Sequence, residues 1–147
     1  MIEKSLFRDP NLRLEGQEDA PEKVPVSTCP RCRKNQELPA LAQGLFLCPR
    51  CGYHFKINAR DRIGMTLDEG SFREMGKRIA SKDPLSFPGY KEKLEQARGQ
   101  SGEHEAVITG AGSIFGQPCA FFAMEYQFMM GSMGAAVGEK LTRLFER

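Results

Sequence analysis

Apolar residues are sparse and irregular over residues 1–25, where charges mix with Pro10, Pro21 and Pro25 and no helical or strand period emerges. That stretch predicts a flexible leader. From residue 26 short apolar clusters begin: Leu38, Leu41, Leu45, Phe46 and Leu47 surround the turn dipeptide Gln43-Gly44, and Tyr53–Ile57 predicts another short strand. Asn58, ahead of Ala59–Met65, has the form of an N-cap with Asp61 three places on, and Gly70 is the expected stop of that helix. Phe72–Met75 alternates and predicts a short strand. Pro84, Pro88 and Gly89 mark a loop over 81–89. Tyr90, Leu94 and Ala97 then share one helical face, with Gly99 as the expected end.

The last third is more apolar. Ala106–Phe115 and Pro118–Glu125 predict two strands joined through Gly116-Gln117 into an antiparallel hairpin. The second strand is almost wholly apolar, which predicts cover on both faces and a buried core thiol at Cys119. Ala136, Val137, Lys140, Leu141, Leu144 and Phe145 form the stripe of a helix, with one charged interruption. Between strand and helix lies Phe128-Met129-Met130-Gly131-Ser132-Met133-Gly134. A strand, a glycine-bearing loop and a helix N-terminus in that order make a place where backbone N–H groups can meet an anion or a polarised carbonyl. The same glycines equally serve close packing of strand on helix.

Composition narrows the class. With 147 residues, 40% hydrophobic content and a net charge of +2, the chain reads as a soluble globular protein of one domain, or a small domain plus part of another. No apolar run approaches the roughly 20 residues needed to cross a bilayer, so no membrane partner is expected. The opening residues carry charge without an apolar core, which points to a cytoplasmic, reducing location. Fifteen glycines, clustered after residue 98, predict tight turns and close backbone approach there.

The most specific signal is chemical. Cys29-x-x-Cys32 and Cys48-x-x-Cys51 stand fifteen residues apart, the spacing of a four-cysteine zinc site. Each pair forms a tight knuckle, and two knuckles complete a tetrahedron. With no open coordination position the metal is structural rather than catalytic. Arg31, Arg33, Lys34 and Arg50 beside the ligands offset thiolate charge. Two disulfides or a redox pair are the alternatives, and both sit poorly with a reducing compartment and a twinned motif. His54 is read as a strand residue rather than a ligand. The basic excess over Arg31–Arg62 leaves a second function in view, a zinc ribbon that binds nucleic acid.

The order of these features closely resembles the beta subunits of bacterial acetyl-coenzyme A carboxylase carboxyltransferase. The residues that carry it are the four-cysteine ribbon, Asn58–Ile63, Leu67–Phe72, Asp83–Phe87, Tyr90–Leu94 and Phe128–Gly134, so it runs from about residue 26 to the end. It implies an α+β architecture: a leader at 1–25, a zinc ribbon at 26–57 and, over 58–147, the start of a crotonase-like (ClpP/crotonase) domain of ββα units, truncated. It implies transfer of a carboxyl group from carboxybiotin to acetyl-coenzyme A, giving malonyl-coenzyme A for fatty-acid synthesis. Gly131 and Ser132 would then contact substrate, and the N–H groups of Met133 and Gly134 would stabilise the enolate oxygen. One structural Zn²⁺ per chain is implied, with biotin on a separate carrier and ATP used only by a partner subunit. The implied partners are the alpha subunit, two of each in a heterotetramer, with biotin carboxyl carrier protein and biotin carboxylase. Subunits of the family also carry a second glycine-rich turn of the Gly-Gly-Ala-Arg type, which has no counterpart here, so the isolated chain is expected to be inactive.

Overall fold

The computed structural model describes residues 24–147, in two compact units that divide between His54 and Phe55. The leader expected over 1–25 therefore lies almost wholly outside the described residues.

In the first unit, β1 (Val26–Thr28) pairs antiparallel with β2 (Asn35–Glu37). The knuckle between them closes on Arg33, whose φ of 55° is left-handed, as is the 68° of Gly52 after the second knuckle. The segment expected to be a strand hairpin is instead a short helix, α1 (Leu38–Gln43). Pro39 sits in its first turn, where a missing N–H costs nothing, and Leu41 anchors it in the interior. Leu45 and Phe46 follow with φ of 53° and 57°, a reversal no strand can hold. Tyr53–Ile57 is likewise no strand. Only an isolated bridge joins Leu47 to His54.

The second unit is a three-stranded antiparallel sheet in the order β3 (Arg73–Met75), β4 (Val107–Ile114), β5 (Gln117–Met124). Three helices accompany it: α2 (Ala59–Thr66), α3 (Tyr90–Ser101) and α4 (Ala135–Phe145). Asn58 caps α2 as its sequence predicts, its Oδ1 accepting the Asp61 N–H at 2.7 Å. That helix ends at Thr66, and Gly70 (φ 69°) serves the turn beyond it. Helix α3 runs through Gly99, an ordinary interior glycine. It is Gly102, left-handed at φ 71°, that stops it.

The hairpin turn is Phe115-Gly116, both left-handed (φ 50° and 76°), one residue earlier than expected. Gln117 thereby pairs with Ile114. Asp68 secures the turn: its carboxylate accepts the Ser113 hydroxyl at 2.6 Å and the N–H groups of Phe115 and Gly116 at 2.9 and 2.8 Å.

Because side chains alternate along a strand, neighbours on β4 serve separate interiors. Val107 joins Leu94, Ala97, Ala106, Phe128 and Val137 beneath α3 and α4. Ile108 joins Ala59, Ile63, Leu67 and Ala123 beneath α2. On the α2 face the strand narrows to Gly110 and Gly112, into which Phe72 and Leu67 settle, the close approach that glycine density predicts. Strand β5 departs from expectation. It is an outer strand, and Pro118, Ala120 and Phe122 are exposed among the described residues. Cys119 is half-buried against the α2 cluster rather than fully enclosed.

Candidate functional site

The first unit gathers Cys29, Cys32, Cys48 and Cys51 so that one sulfur of each lies within 4.8 Å of the others. Cys29 Sγ stands 3.6 Å from Cys51 Sγ, and Cys32 Sγ 3.7 Å from Cys48 Sγ. A zinc ion bonded to four sulfurs at about 2.3 Å in a tetrahedron needs edges of about 3.8 Å. These residues fit that ion. Cys29 and Cys48 are buried and the other two partly so, and the Arg33 and Gly52 N–H groups close the knuckles on the Cys29 and Cys48 carbonyls at 2.8 and 2.9 Å. Burial raises the Cys48 thiol, but hydrogen bonds from the Arg50 and Cys51 N–H groups and from neighbouring thiols outweigh it and bring the pKa down to about 7. Cys51 goes the other way, to about 11, through burial and the crowding thiols, against the pull of the Tyr53 N–H. Arg31 donates to the Cys51 carbonyl at 3.2 Å and so braces one knuckle against the other. His54 is exposed and outside the cluster.

The second candidate lies between β5 and α4. The chain leaves β5 at Met124, buries Glu125 and Phe128, passes through a 3₁₀ turn (Met129–Gly131) and reaches Gly134 at the head of α4. Met129, Met130 and Gly131 are successively left-handed, with φ of 46°, 60° and 71°. For the two methionines this carries a steric cost. The Gly131 N–H donates to the Phe128 carbonyl at 2.9 Å and the Ser132 N–H to the Met129 carbonyl at 3.2 Å. The N–H groups of Met133 and Gly134 make no hydrogen bond among the described residues. The first N–H groups of α4 are also without intrahelical acceptors, and the dipole of its eleven residues adds positive potential there. A cleft of about 450 Å³ opens against Gly134, Ala135 and Ala136, walled across from them by Ile79–Lys82, Pro84 and Tyr90. Thus Gly131, Ser132, Met133 and Gly134 form one continuous turn, but two of its four N–H groups are already engaged and two are available.

Three ionisable side chains are buried without a local signal that predicts it: Glu105, which accepts the Ser81 and Ala106 N–H groups at 2.7 and 3.0 Å, Glu125 and Lys140. Glu125 is 1% exposed, with Oε2 accepting the Ala59 N–H at 2.8 Å and Oε1 the Gln127 N–H at 2.9 Å. Lys140 is 4% exposed and donates to the Val107 carbonyl at 2.6 Å, tying α4 to β4. Burial lowers its pKa, opposed by Glu74, Glu105 and Glu103. In the sequence Lys140 shows only as a flaw in an apolar stripe. Nothing in the local pattern marked Glu125. Nearby, Arg60 binds Glu103 through two contacts of 2.7 and 2.8 Å and Glu74 at 2.8 Å, and these carboxylates, Glu103 foremost, hold the guanidinium firmly protonated.

Comparison with known proteins places these features. The family model of the carboxyl transferase domain matches residues 56–147. The acetyl-coenzyme A carboxylase carboxyl transferase subunit beta of Ruminiclostridium cellulolyticum is 55% identical over 118 residues, covering 80% of this chain. The chain spans 41% of that relative's length. Among solved structures, the transcarboxylase 12S hexamer with hydrolyzed methylmalonyl-coenzyme A bound is similar at a TM-score of 0.51 and 28% identity, over 62% of this chain and 16% of that one. No helix among the described residues is long and apolar enough to cross a membrane.

Proposed function

Because the chain belongs to the carboxyl transferase domain family, we propose that it serves as the zinc-ribbon and first ββα portion of an acetyl-coenzyme A carboxyltransferase beta subunit. The reaction is carboxyl transfer to the methyl carbon of acetyl-coenzyme A, yielding malonyl-coenzyme A. Carboxybiotin, brought by a separate carrier protein, supplies the activated carboxyl group. The alpha subunit is the partner expected to bring that group to the acetyl thioester, in a complex that includes biotin carboxylase, where ATP is consumed.

The demand on this chain is electrostatic. When the acetyl methyl loses a proton, negative charge builds on the thioester oxygen, and donors fixed in advance near that oxygen lower the barrier. Met133 and Gly134 are the residues we assign to this task, with Gly131 and Ser132 shaping the approach of the thioester. What supports the reading is the pair of unengaged N–H groups at the head of α4, beside a cleft. Zn²⁺ holds the ribbon and takes no part in the chemistry, since four thiolates leave it no open position.

The test is Met133→Pro, which deletes one donor while Ser132, at ψ 142°, already has the extended form a residue before proline needs. In the assembled carboxyltransferase, kcat should fall by about 10²–10³ with a much smaller change in KM for acetyl-coenzyme A. An unchanged kcat in a variant that melts like wild type would overturn the assignment.

A second reading has one observation behind it. Arg33, Lys34 and Arg50 are exposed and form no ion pair among the described residues, so the ribbon offers free cations to a nucleic-acid backbone. A salt titration against a random oligonucleotide tests it, and no binding near physiological salt would sink it.

A further inference from the structure

We infer that Glu125 is a positioning residue that fixes the Gly131–Gly134 turn from a distance, through the backbone of the β5–α4 connection. The inference rests on the reading of that turn given above.

Glu125 sits at the root of the connection and is held on four sides. Its own N–H donates to the Ala106 carbonyl at 2.8 Å and its carbonyl accepts the Phe128 N–H at 3.2 Å. Its two carboxyl oxygens accept from Ala59 and Gln127. It makes no ion pair among the described residues. The acid is therefore spent wholly on backbone donors, one at the start of α2 and one in the loop. Capping alone does not explain it, because Asn58 already caps α2. What Glu125 adds is a link between that rigid helix end and the first residues of the loop.

From there a relay of short turns leads to the site. Phe128 bonds back to Glu125, Gly131 back to Phe128, and Ser132 back to Met129. Phe128 is pinned in the interior beside Val137 of α4. This segment holds two non-glycine residues in the left-handed region, a conformation that persists only where its surroundings enforce it. Without an anchor at its root, the segment can relax. The N–H groups of Met133 and Gly134 would then lose their fixed aim.

The chemistry requires an acid. Both partners are donors, and a carboxylate accepts from both, whereas an amide accepts from one and opposes the other with its own NH₂. The positive end of α2 also favours a negative charge at Ala59.

Amide hydrogen exchange on the full chain tests this, in Glu125→Gln and Glu125→Ala. The amides of Phe128, Gly131 and Ser132 should exchange about ten-fold faster or more in Glu125→Ala, relative to the amides of β4. Glu125→Gln, which keeps one acceptor, should fall between the two and supplies the answer if the alanine variant does not fold. Loop amides that keep wild-type rates, or that speed up only in step with β4, would overturn the inference. If the loop loosens and kcat of the assembled enzyme stays at the wild-type value, the positioning role stands and the enolate reading of the turn falls.

Discussion

Substituting alanine at Gly110 adds a single methyl group, and the structure says where it must go. Its Cβ would stand 2.5 Å from the Arg73 carbonyl oxygen and 2.6 Å from Phe72 Cζ, whereas relaxed contacts between carbon atoms are about 3.5–4.0 Å. The Phe72 ring can tilt, at the cost of its packing against the cluster beneath α2. The carbonyl cannot move so easily, because Arg73 and Glu74 are paired with Ala111 and Gly110 in the ladder. Relief therefore means spreading β3 from β4. Overpacking costs about 1–3 kcal/mol, and a weakened ladder hydrogen bond adds about 1. The sum of about 2–4 kcal/mol corresponds to a fall in Tm of about 10 °C or more for a domain of this size. Gly64 is the matched control. It lies inside α2 with no heavy atom within 4 Å of a new Cβ, so Gly64→Ala should gain about 0.5–1 kcal/mol. Thermal melts of both variants by circular dichroism decide the matter. If Gly110→Ala melts within about 2 °C of wild type, the close seat of Phe72 on β4 is not rigid and the reasoning fails.

Chelating the metal should release four thiols, and Cys48→Ser should leave three free; either should strip amide protection from residues 26–54, while the β4–β5 hairpin keeps most of its own. Metal analysis with thiol counting and hydrogen exchange measures both. Asp68 lies below its usual pKa of 3.8, chiefly through the Ser113 hydroxyl and then the Gly116 N–H. Its contribution to stability is thus fully present above 3.8 and is lost as the pH falls through its lower folded value, so acid titrations of wild type and Asp68→Asn should converge there and diverge above. Lys140, with its pKa depressed from 10.5, binds its proton more tightly unfolded than folded. Wild type should therefore gain stability relative to Lys140→Met as the pH rises through the folded pKa towards 10.5, and a pH-independent difference in Tm would count against a buried ammonium.

Local chemistry was the legible part. Asn58 announces its cap because its side chain bonds three residues on, and paired knuckles announce a metal because their spacing is covalent. The pair of hairpin strands and the stripe of α4 are likewise visible. Errors came where two local signals competed. Leu38, Leu41 and Leu45 are spaced for a helix, yet the Gln43-Gly44 dipeptide suggested a strand turn. Gly99 reads as a stop in sequence, although only Gly102 adopts positive φ. The turn at Phe115-Gly116 was misplaced by one residue because a phenylalanine at φ 50° contradicts propensity, and the Asp68 contacts that secure it come from far away in sequence. Distance also hid Glu125, whose partner Ala59 is 66 positions earlier. The exposed face of β5 was misjudged because an apolar strand reads as buried whatever stands beside it.

The paired duties of β4 bear on how this segment can change over generations. Replacing one side chain disturbs one interior. Losing or gaining one residue between Val107 and Gly112 would exchange the two faces at a stroke, presenting Thr109 or Ala111 where Phe72 needs bare backbone and offering Ile108 to the cluster built around Val107. Length variation among descendants of this sequence should accordingly gather in the connections, and β4 should keep its residue count even where its letters drift.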